Sequence, residues 1–300
     1  MQSKETKYRD YIVNRFPGIP PDSFRFDFTS SQHSDLVFAG KETVFKFSKY
    51  DWTAAYLKNE WRTVQLIRHL TTIPLPAVDL LETGVLKCSV VHGKVFQRSD
   101  ILLQKKANQD ILAKQIGTFF RQLHSVPVEK AKQSGLNDCC RKMNAEYWGS
   151  EYEAICRKLF DYCDDYSKET IRRIFEPALK NSRFFMFTPS LIHGGFTPRH
   201  VLYNDATLKV KAVTGFGGAC VGDPAYDMGT FLAGTGESFL KRVGKYDVSV
   251  AQQIDRARFY AFVQRLMRAK ELADRITTRD FSGFQLCLDE PDLLPPGKPF

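Results

Sequence analysis

The sequence has no long apolar run. It is 43% hydrophobic over 300 residues, but no stretch reaches the roughly twenty consecutive apolar residues that a membrane-spanning helix requires. Residues 1–10 are charged and polar, which is not the composition of a secretory signal peptide. We therefore expect a protein of the cytoplasm without a membrane partner.

The sequence also lacks the paired cysteine spacing of zinc and redox sites. Its seven cysteines are odd in number and scattered, and no two of them form a C-x-x-C pair. Reduced thiols are expected at all of them: Cys88, Cys139, Cys140, Cys156, Cys163, Cys220 and Cys287.

Negative charge is in deficit, with 34 acidic against 43 basic residues and a net charge of +9. The basic residues are spread through the chain as short pairs, a pattern typical of solvated helix faces. No aromatic and basic motif of nucleic-acid binding accompanies them, which disfavours a nucleic-acid partner. A small-molecule ligand that is anionic or neutral fits this charge better than a polycation, and a protein partner stays open.

The first structured segment is predicted to form two consecutive hairpins. Phe24, Phe26 and Phe28 alternate with polar residues, which is typical of a half-buried strand. Residues 29–34 then form a polar turn that contains no glycine, and residues 43–48 alternate again. The backbone amides of the turn and three of its hydroxyls can hold an anion: those of Ser30, Ser31 and Ser34.

A lysine and a glutamate follow on the next two predicted elements. Because Phe45 and Phe47 share one face of their strand, Lys46 points to the other face. Asp51 can cap a helix whose apolar stripe lies beside Glu60. The lysine and the glutamate are therefore expected on facing elements.

The sequence predicts an α+β fold in two parts. Residues 85–91 and 95–104 are strand-like and would complete a sheet of about five strands, with the crossover near Leu103. Amphipathic helical spacing dominates afterwards. We expect a small N-terminal lobe with an antiparallel sheet over residues 1–105 and a larger, mainly helical C-terminal lobe over residues 106–300.

The most informative motif lies in the helical part. Residues 191–203 read LIHGGFTPRHVLY, residues 215–217 read GFG, and residues 222–227 read GDPAYD. This frame resembles the aminoglycoside phosphotransferase and choline-kinase-like family, whose members carry H-G-D-x-x-x-x-N, an I-D-F-G-like turn and G-D-P-x-x-D. The resemblance extends more weakly to Lys46 and Glu60, and it implies a protein-kinase-like, two-lobed fold.

The resemblance also implies roles for individual residues. Lys46 and Glu60 resemble the pair through which a lysine reaches nucleotide phosphates, and Leu103 falls at the hinge. Asp223 followed by proline is a helix N-cap, which is a structural role. Asp227 resembles the carboxylate that braces the catalytic loop, so it too is predicted to be structural.

The departures from the family motif concern its chemistry. Phosphoryl transfer needs a carboxylate that orients the acceptor and oxygen ligands for magnesium. The family's base position is Gly195, its metal-binding asparagine is His200 and its metal-binding aspartate is Gly215. We therefore predict no magnesium site, and conventional ATP-dependent kinase activity is expected to be absent. His193 and His200 remain as candidate acids or bases.

Three hypotheses stay open at this point. A degenerate, pseudokinase-like protein would bind a nucleotide, a metabolite or a partner and transfer nothing, with ATP or another nucleotide held without magnesium. An enzyme could instead reuse the cleft for a different reaction through His193, His200 or Cys220. The chain could also be an inactivated form of an ordinary small-molecule phosphotransferase.

Overall fold

The computed structural model describes residues 3–273 and 293–299. Its strands are β1 (Phe24–Asp27), β2 (Ser34–Ala39), β3 (Thr43–Ser48), β4 (Val78–Glu82), β5 (Val85–Ser89), β6 (Lys94–Val95), β7 (Ser190–Ile192), β8 (Val201–Asn204), β9 (Lys209–Val213) and β10 (Cys220–Gly222). Its helices are α1 (Lys4–Arg15), α2 (Asp51–Ile67), α3 (Arg98–Leu103), α4 (Lys106–His124), α5 (Val128–Gln133), α6 (Ala145–Leu159), α7 (Asp165–Lys180), α8 (Pro224–Thr235), α9 (Glu237–Gly244), α10 (Ser249–Gln252) and α11 (Ile254–Ala273).

A five-stranded antiparallel sheet forms the N-terminal part, in the order β1-β2-β3-β5-β4. The two predicted hairpins are confirmed, and Val37 lies opposite Phe45 in the second of them. One face of the sheet packs on α1 through Tyr8 and Ile12, because the alternating apolar side chains of β2 and β3 point that way. Helix α1 was not predicted.

The predicted strand over residues 95–104 is wrong. β4 supplies the fifth strand of the sheet, β6 pairs with β8 instead, and most of the remaining segment is the helix α3. The Asp100 carboxylate accepts a hydrogen bond from the Gln97 amide at 3.1 Å and caps that helix, and Lys94 Nζ lies 2.5 Å from the same carboxylate. Leu103 is therefore a helical residue, 85% exposed, rather than the end of a sheet strand.

Helices dominate the C-terminal part, which confirms the predicted fold class. α4 buries an apolar stripe in the main core, and α8 is packed between that core and α11. No helix within residues 3–273 and 293–299 is long and apolar enough to cross a membrane. The lobe boundary at residues 105 and 106 stays a prediction.

Three short connections meet at the ends of the small sheets in this part. β7 leads into residues 193–200, β9 leads into residues 214–219, and β10 leads into the start of α8. β7 pairs with β10 and β8 pairs with β9, so both pairs hold the connections in a fixed register. The motif of residues 191–227 is thereby gathered in one place.

Candidate functional site

Asp227 braces the loop that contains the family's base position. Its carboxylate accepts backbone hydrogen bonds from His193 at 2.6 Å, Gly194 at 3.0 Å and Gly195 at 3.4 Å. The side chain is fully buried on the first turns of α8. A buried carboxylate that accepts several amide hydrogen bonds fixes the backbone around it, and the structure places Asp227 where a bracing role requires it.

A histidine that the sequence did not single out completes this brace. His124 Nε2, in the last turn of α4, lies 3.3 Å from the Asp227 carboxylate. Burial alone would raise the pKa of Asp227, but the hydrogen bond and charge of His124 and the nearby His193 hold it below its usual range. A histidine at the end of an amphipathic helix gave no sequence signal for this contact.

Asp223 ties the start of α8 to α11. Its carboxylate accepts a hydrogen bond from the Ala225 amide at 3.0 Å, as an N-cap does. Arg256 Nε and the Tyr260 hydroxyl, both on α11, donate to it at 2.8 and 3.0 Å. The carboxylate is buried with all of these donors, which accounts for the residue structurally.

Lys46 and Glu60 form an ion pair between β3 and α2. Lys46 Nζ lies 2.7 and 2.9 Å from the two carboxylate oxygens of Glu60. The lysine side chain is 20% exposed and the glutamate 3%. Burial opposes the charge on Lys46, but the adjacent Glu60 carboxylate more than offsets it, so the pKa of Lys46 is raised. Lys46 therefore stays protonated, and part of its side chain is exposed. Its contact with a nucleotide stays a prediction.

The serines of the first turn are bound within the turn. Ser31 Oγ and Ser34 Oγ lie 3.1 Å apart, and Ser34 is buried. The Ser30 amide donates to Asp27 at 2.9 Å, while Lys49 Nζ donates to the carbonyl of Ser31 at 2.6 Å. The hydroxyls of Ser31 and Ser34 and the amide of Ser30 therefore already have partners, which an anion would have to displace.

An aromatic contact joins the turn of residues 29–34, through α2, to the loop of residues 214–219. The His33 ring stacks on Tyr56 with centroids 4.0 Å apart. A Cβ at Gly217 would fall 2.0 Å from the Tyr56 ring, so only glycine accommodates that ring there. Asn59 Nδ2 donates to the carbonyls of Gly217 and Ala219 at 2.9 and 2.7 Å, which fixes α2 against the loop. Gly217 belongs to the GFG motif, whereas His33, Tyr56 and Asn59 were not singled out from the sequence.

Leu103, the residue predicted at the hinge, is the last residue of α3. It lines an open pocket of about 310 Å³ between α3 and the β8–β9 hairpin, together with Lys94, Asp100 and Tyr203. Lys46 is not among the lining residues of that pocket. A contact of Leu103 with a nucleotide stays a prediction.

Gly195 stands over open space. A Cβ built on it would meet nothing within 4 Å. Its φ of 147° belongs to the backbone region that L-residues rarely adopt. A carboxylate at this position would have room, but the loop would have to change its backbone conformation.

His200 and Gly215 fit each other. Gly215 has a left-handed backbone with φ 82°, and a Cβ there would lie 2.5 Å from Cδ2 and 2.8 Å from Nε2 of His200. The imidazole thus occupies the space that a side chain at residue 215 would need. Thr197 N–H donates to His200 Nδ1 at 3.2 Å, so the proton of the neutral ring is on Nε2. Burial and the nearby His193 lower the pKa of His200 to about 3.

Magnesium does not fit these residues. The ion prefers hard oxygen ligands in octahedral geometry, whereas glycine offers no side chain and His200 presents an uncharged ring that bears its proton toward Gly215. Within residues 3–273 and 293–299, no group of three or more His, Cys, Asp or Glu side chains is arranged to hold a metal ion.

His193, the other predicted catalytic histidine, is part of the loop's internal structure. It is 1% exposed, and its Nε2 lies 2.9 Å from the carbonyl of Thr214, to which it donates. Burial lowers its pKa. The His193 and His200 rings lie 4.8 Å apart, so protonation of one opposes protonation of the other.

Comparison with known proteins identifies the family to which the chain belongs. The family model described as the phosphotransferase enzyme family, APH, matches residues 27–276. No curated protein sequence matches the chain significantly.

Solved structures match over nearly the whole chain. The GDP and kanamycin complex of APH(2")-IIia has a TM-score of 0.81 at 22% identity, over 94% of this chain and 97% of that one. The streptomycin-ATP-APH(2")-IIa ternary complex has a TM-score of 0.69 at 18% identity, over 90% and 92%. Macrolide 2'-phosphotransferase MphH from Brachybacterium faecium has a TM-score of 0.72 at 16% identity, over 95% and 98%. These likenesses confirm the predicted protein-kinase-like fold.

Proposed function

The chain belongs to the phosphotransferase enzyme family, and from that premise we propose that it binds a nucleotide or a related small ligand without conventional phosphoryl transfer. The observation that carries the proposal is the mutual fit of His200 and Gly215. The His200 imidazole fills the space that a side chain at residue 215 would need. The residue at one of the two family metal positions therefore depends on the residue at the other.

The missing groups account for most of the chemistry of transfer. A positioned general base contributes roughly two to four orders of magnitude in rate, and the metal clamp several kcal/mol more. Gly195 removes the first, and the His200–Gly215 pair removes the second. The remaining residues hold the loops, and the partly exposed Lys46 supplies one positive charge for a ligand.

The charge of the cleft limits the ligand. Glu60 already neutralises Lys46, and His200 is uncharged near neutral pH because its pKa is lowered to about 3. Without a metal, this site offers little to offset a highly charged triphosphate. A nucleotide without magnesium, or a neutral or weakly anionic metabolite, fits it better. GDP, which one compared aminoglycoside phosphotransferase binds, is the first candidate, and ATP, which another binds, carries the larger charge.

Thermal unfolding with ligands tests the binding half of the proposal. The purified chain is melted with ATP, ADP, GTP and GDP, each with and without magnesium, since a ligand of the folded state raises the midpoint. We expect a rise that does not depend on magnesium and that is lost in Lys46→Met, while Lys41→Met, at an exposed position, keeps it. Absence of any shift would refute nucleotide binding, and a shift only with magnesium would show a metal site.

A transfer assay tests the catalytic half. γ-Labelled ATP or GTP is incubated with the protein and with kanamycin or streptomycin, antibiotics bound by the compared phosphotransferases. We expect no label on either antibiotic above a control without protein. Labelled antibiotic that disappears in Lys46→Met would overturn the proposal. The alternative reaction in the same cleft, through His193, His200 or Cys220, stays a prediction. His193 and Cys220 are buried, which leaves a substrate little access to them.

A further inference from the structure

Two cysteines lie in contact beside the candidate site. The Cys139 amide donates to the carbonyl of Val221 at 2.8 Å, and the Val221 amide donates to the carbonyl of Asn137 at 2.8 Å. Asp138 and Val221 are thereby paired as parallel extended residues. Cys139 follows Asp138 and Cys220 precedes Val221, so this pairing brings the two segments that carry the cysteines side by side.

Both side chains belong to one small apolar cluster. Cys220 is buried there with Met143 and Ile192, and the partly buried Cys139 packs against them. The Cys139 and Cys220 side chains pack in this one cluster, and each thiol shifts the pKa of the other. The Cys139 side chain is partly exposed, whereas that of Cys220 is buried.

The contact divides the two thiols by reactivity. The hydrogen bond from Cys220 lowers the pKa of Cys139 to about 7, and the same bond together with burial raises that of Cys220. Burial and the hydrogen bond to Asp138 raise the pKa of the neighbouring Cys140 to about 12. Because the thiolate is the reactive form, Cys139 is the group that a small electrophile or oxidant meets first.

We propose that Cys139 and Cys220 are a modification site at which hydrogen peroxide forms an intramolecular disulfide. The Cys139 thiolate attacks one peroxide oxygen, the O–O bond breaks, and the released hydroxide takes a proton to leave as water. The Cys220 sulfur then attacks the sulfenic sulfur of Cys139, whose hydroxyl leaves as a second water with the Cys220 proton. Two thiols are oxidised and one peroxide is reduced to two waters.

The product would join two segments around the candidate site. Cys220 opens β10, which lies between the loop of Gly215 and the cap of α8 at Asp223. Cys139 lies directly before a short helical turn, Cys140–Met143. The bond closes a long chain loop, and such a crosslink restricts the unfolded state, so the oxidised protein is expected to melt several degrees higher. This inference does not depend on the proposed function.

Peptide mapping of the full-length chain tests it. The reduced protein is freed of reductant, treated with a small excess of hydrogen peroxide, alkylated, digested and analysed by mass spectrometry. We expect a peptide pair that joins Cys139 to Cys220, absent in Cys139→Ser and Cys220→Ser and unchanged in Cys163→Ser. A Cys139–Cys140 disulfide, or Cys139 oxidised to sulfinic acid while Cys220 remains open to alkylation after unfolding, would overturn the proposal.

A second measurement needs only the unaltered protein. Alkylation by iodoacetamide at pH 7 is followed separately at Cys139 and at Cys163, another partly exposed thiol, whose pKa burial raises to about 11. We expect Cys139 to react at least about tenfold faster, with a rate that is half-maximal near pH 7. Equal rates would show that Cys139 is not an activated thiol and would refute the first step.

Discussion

The carboxylates that hold the loops and the positions that would perform catalysis lie within one motif but follow opposite rules. Asp223 and Asp227 are fully buried, and each carboxylate accepts hydrogen bonds from several donors. Gly195 faces open space, and His200 and Gly215 face each other. The supporting residues match the family motif, whereas Gly195, His200 and Gly215 depart from it.

The difference shows which residues the fold itself requires. Removing a buried carboxylate leaves several donors without a partner, a cost that stability alone opposes. Removing a carboxylate that faces a cleft leaves no buried donor behind, so the fold tolerates it. The frame can therefore persist after its chemistry is lost, provided that the new side chains fit, as His200 fits Gly215.

The largest effect should follow from breaking the supporting layer. Asp227→Ala removes the acceptor of the His193 and Gly194 amides and the partner of His124, and we expect a loss of about 3–5 kcal/mol in the free energy of unfolding. Urea denaturation measures it. Glu153→Ala, at an exposed helical pair, serves as the control and should stay within about 0.5 kcal/mol. A loss below about 1 kcal/mol for Asp227→Ala would contradict the bracing role.

A smaller effect should follow from restoring one metal position without the other. Gly215→Asp forces a side chain into the His200 ring at a left-handed backbone position, and we expect a loss of about 2–4 kcal/mol. With His200→Asn added, the ring is gone and at least about 1 kcal/mol should return. Urea denaturation of both single variants and of the double variant gives this coupling.

The same double variant sharpens the comparison through its ligand response. It carries the family's asparagine and aspartate, so its melting midpoint with ATP should become dependent on magnesium. In the urea denaturation experiment, additive losses from Gly215→Asp and His200→Asn would show that His200 and Gly215 are not a coupled pair.

Breaking the ion pair of the N-terminal part should cost less. Lys46→Met leaves the buried Glu60 carboxylate without its cation, and we expect a loss of about 2 kcal/mol. Adding Glu60→Gln removes the unpaired charge and should recover about half of that loss. Urea denaturation measures both, with Lys41→Met as the exposed control. A double variant less stable than Lys46→Met would mean that Glu60 has another function.

The sequence predicted the elements whose signals are local. Phenylalanines at alternate positions indicated β1 and its hairpin, and the proline after Asp223 indicated the start of α8. Residues 95–104 were placed in a strand because short apolar runs do not distinguish strand from helix. The capping contact of Asp100 favours the helix α3, and Leu103 is the last residue of that helix.

The contacts between distant segments could not be predicted in this way. The fit of His200 to Gly215, the Tyr56 ring on Gly217 and the approach of His124 to the motif all depend on tertiary packing. The family motif fixed which positions to compare. It could not show whether a replaced residue leaves a gap or fills one.

The smallest expected effect concerns the protonation of the replaced metal position. The pKa of His200 is about 3 in the folded protein, against about 6.5 in an unfolded chain. Between these values the unfolded chain binds more protons, so this contribution to stability is present above pH 6.5 and is lost as the pH falls toward 3. From pH 7.5 to 5.5, we expect His200 to account for a loss of about 1 kcal/mol in unfolding free energy.

Urea denaturation at both pH values tests this contribution. The unfolding free energy should depend less steeply on pH in His200→Asn, while His69→Gln, at an exposed position, should match the unaltered protein. The remaining slope includes contributions from His193 and His33, whose pKa values are also lowered by burial. An unchanged slope in His200→Asn would show that the ring is open to water, and would weaken the contrast between the filled space at Gly215 and the open space at Gly195, the family's base position.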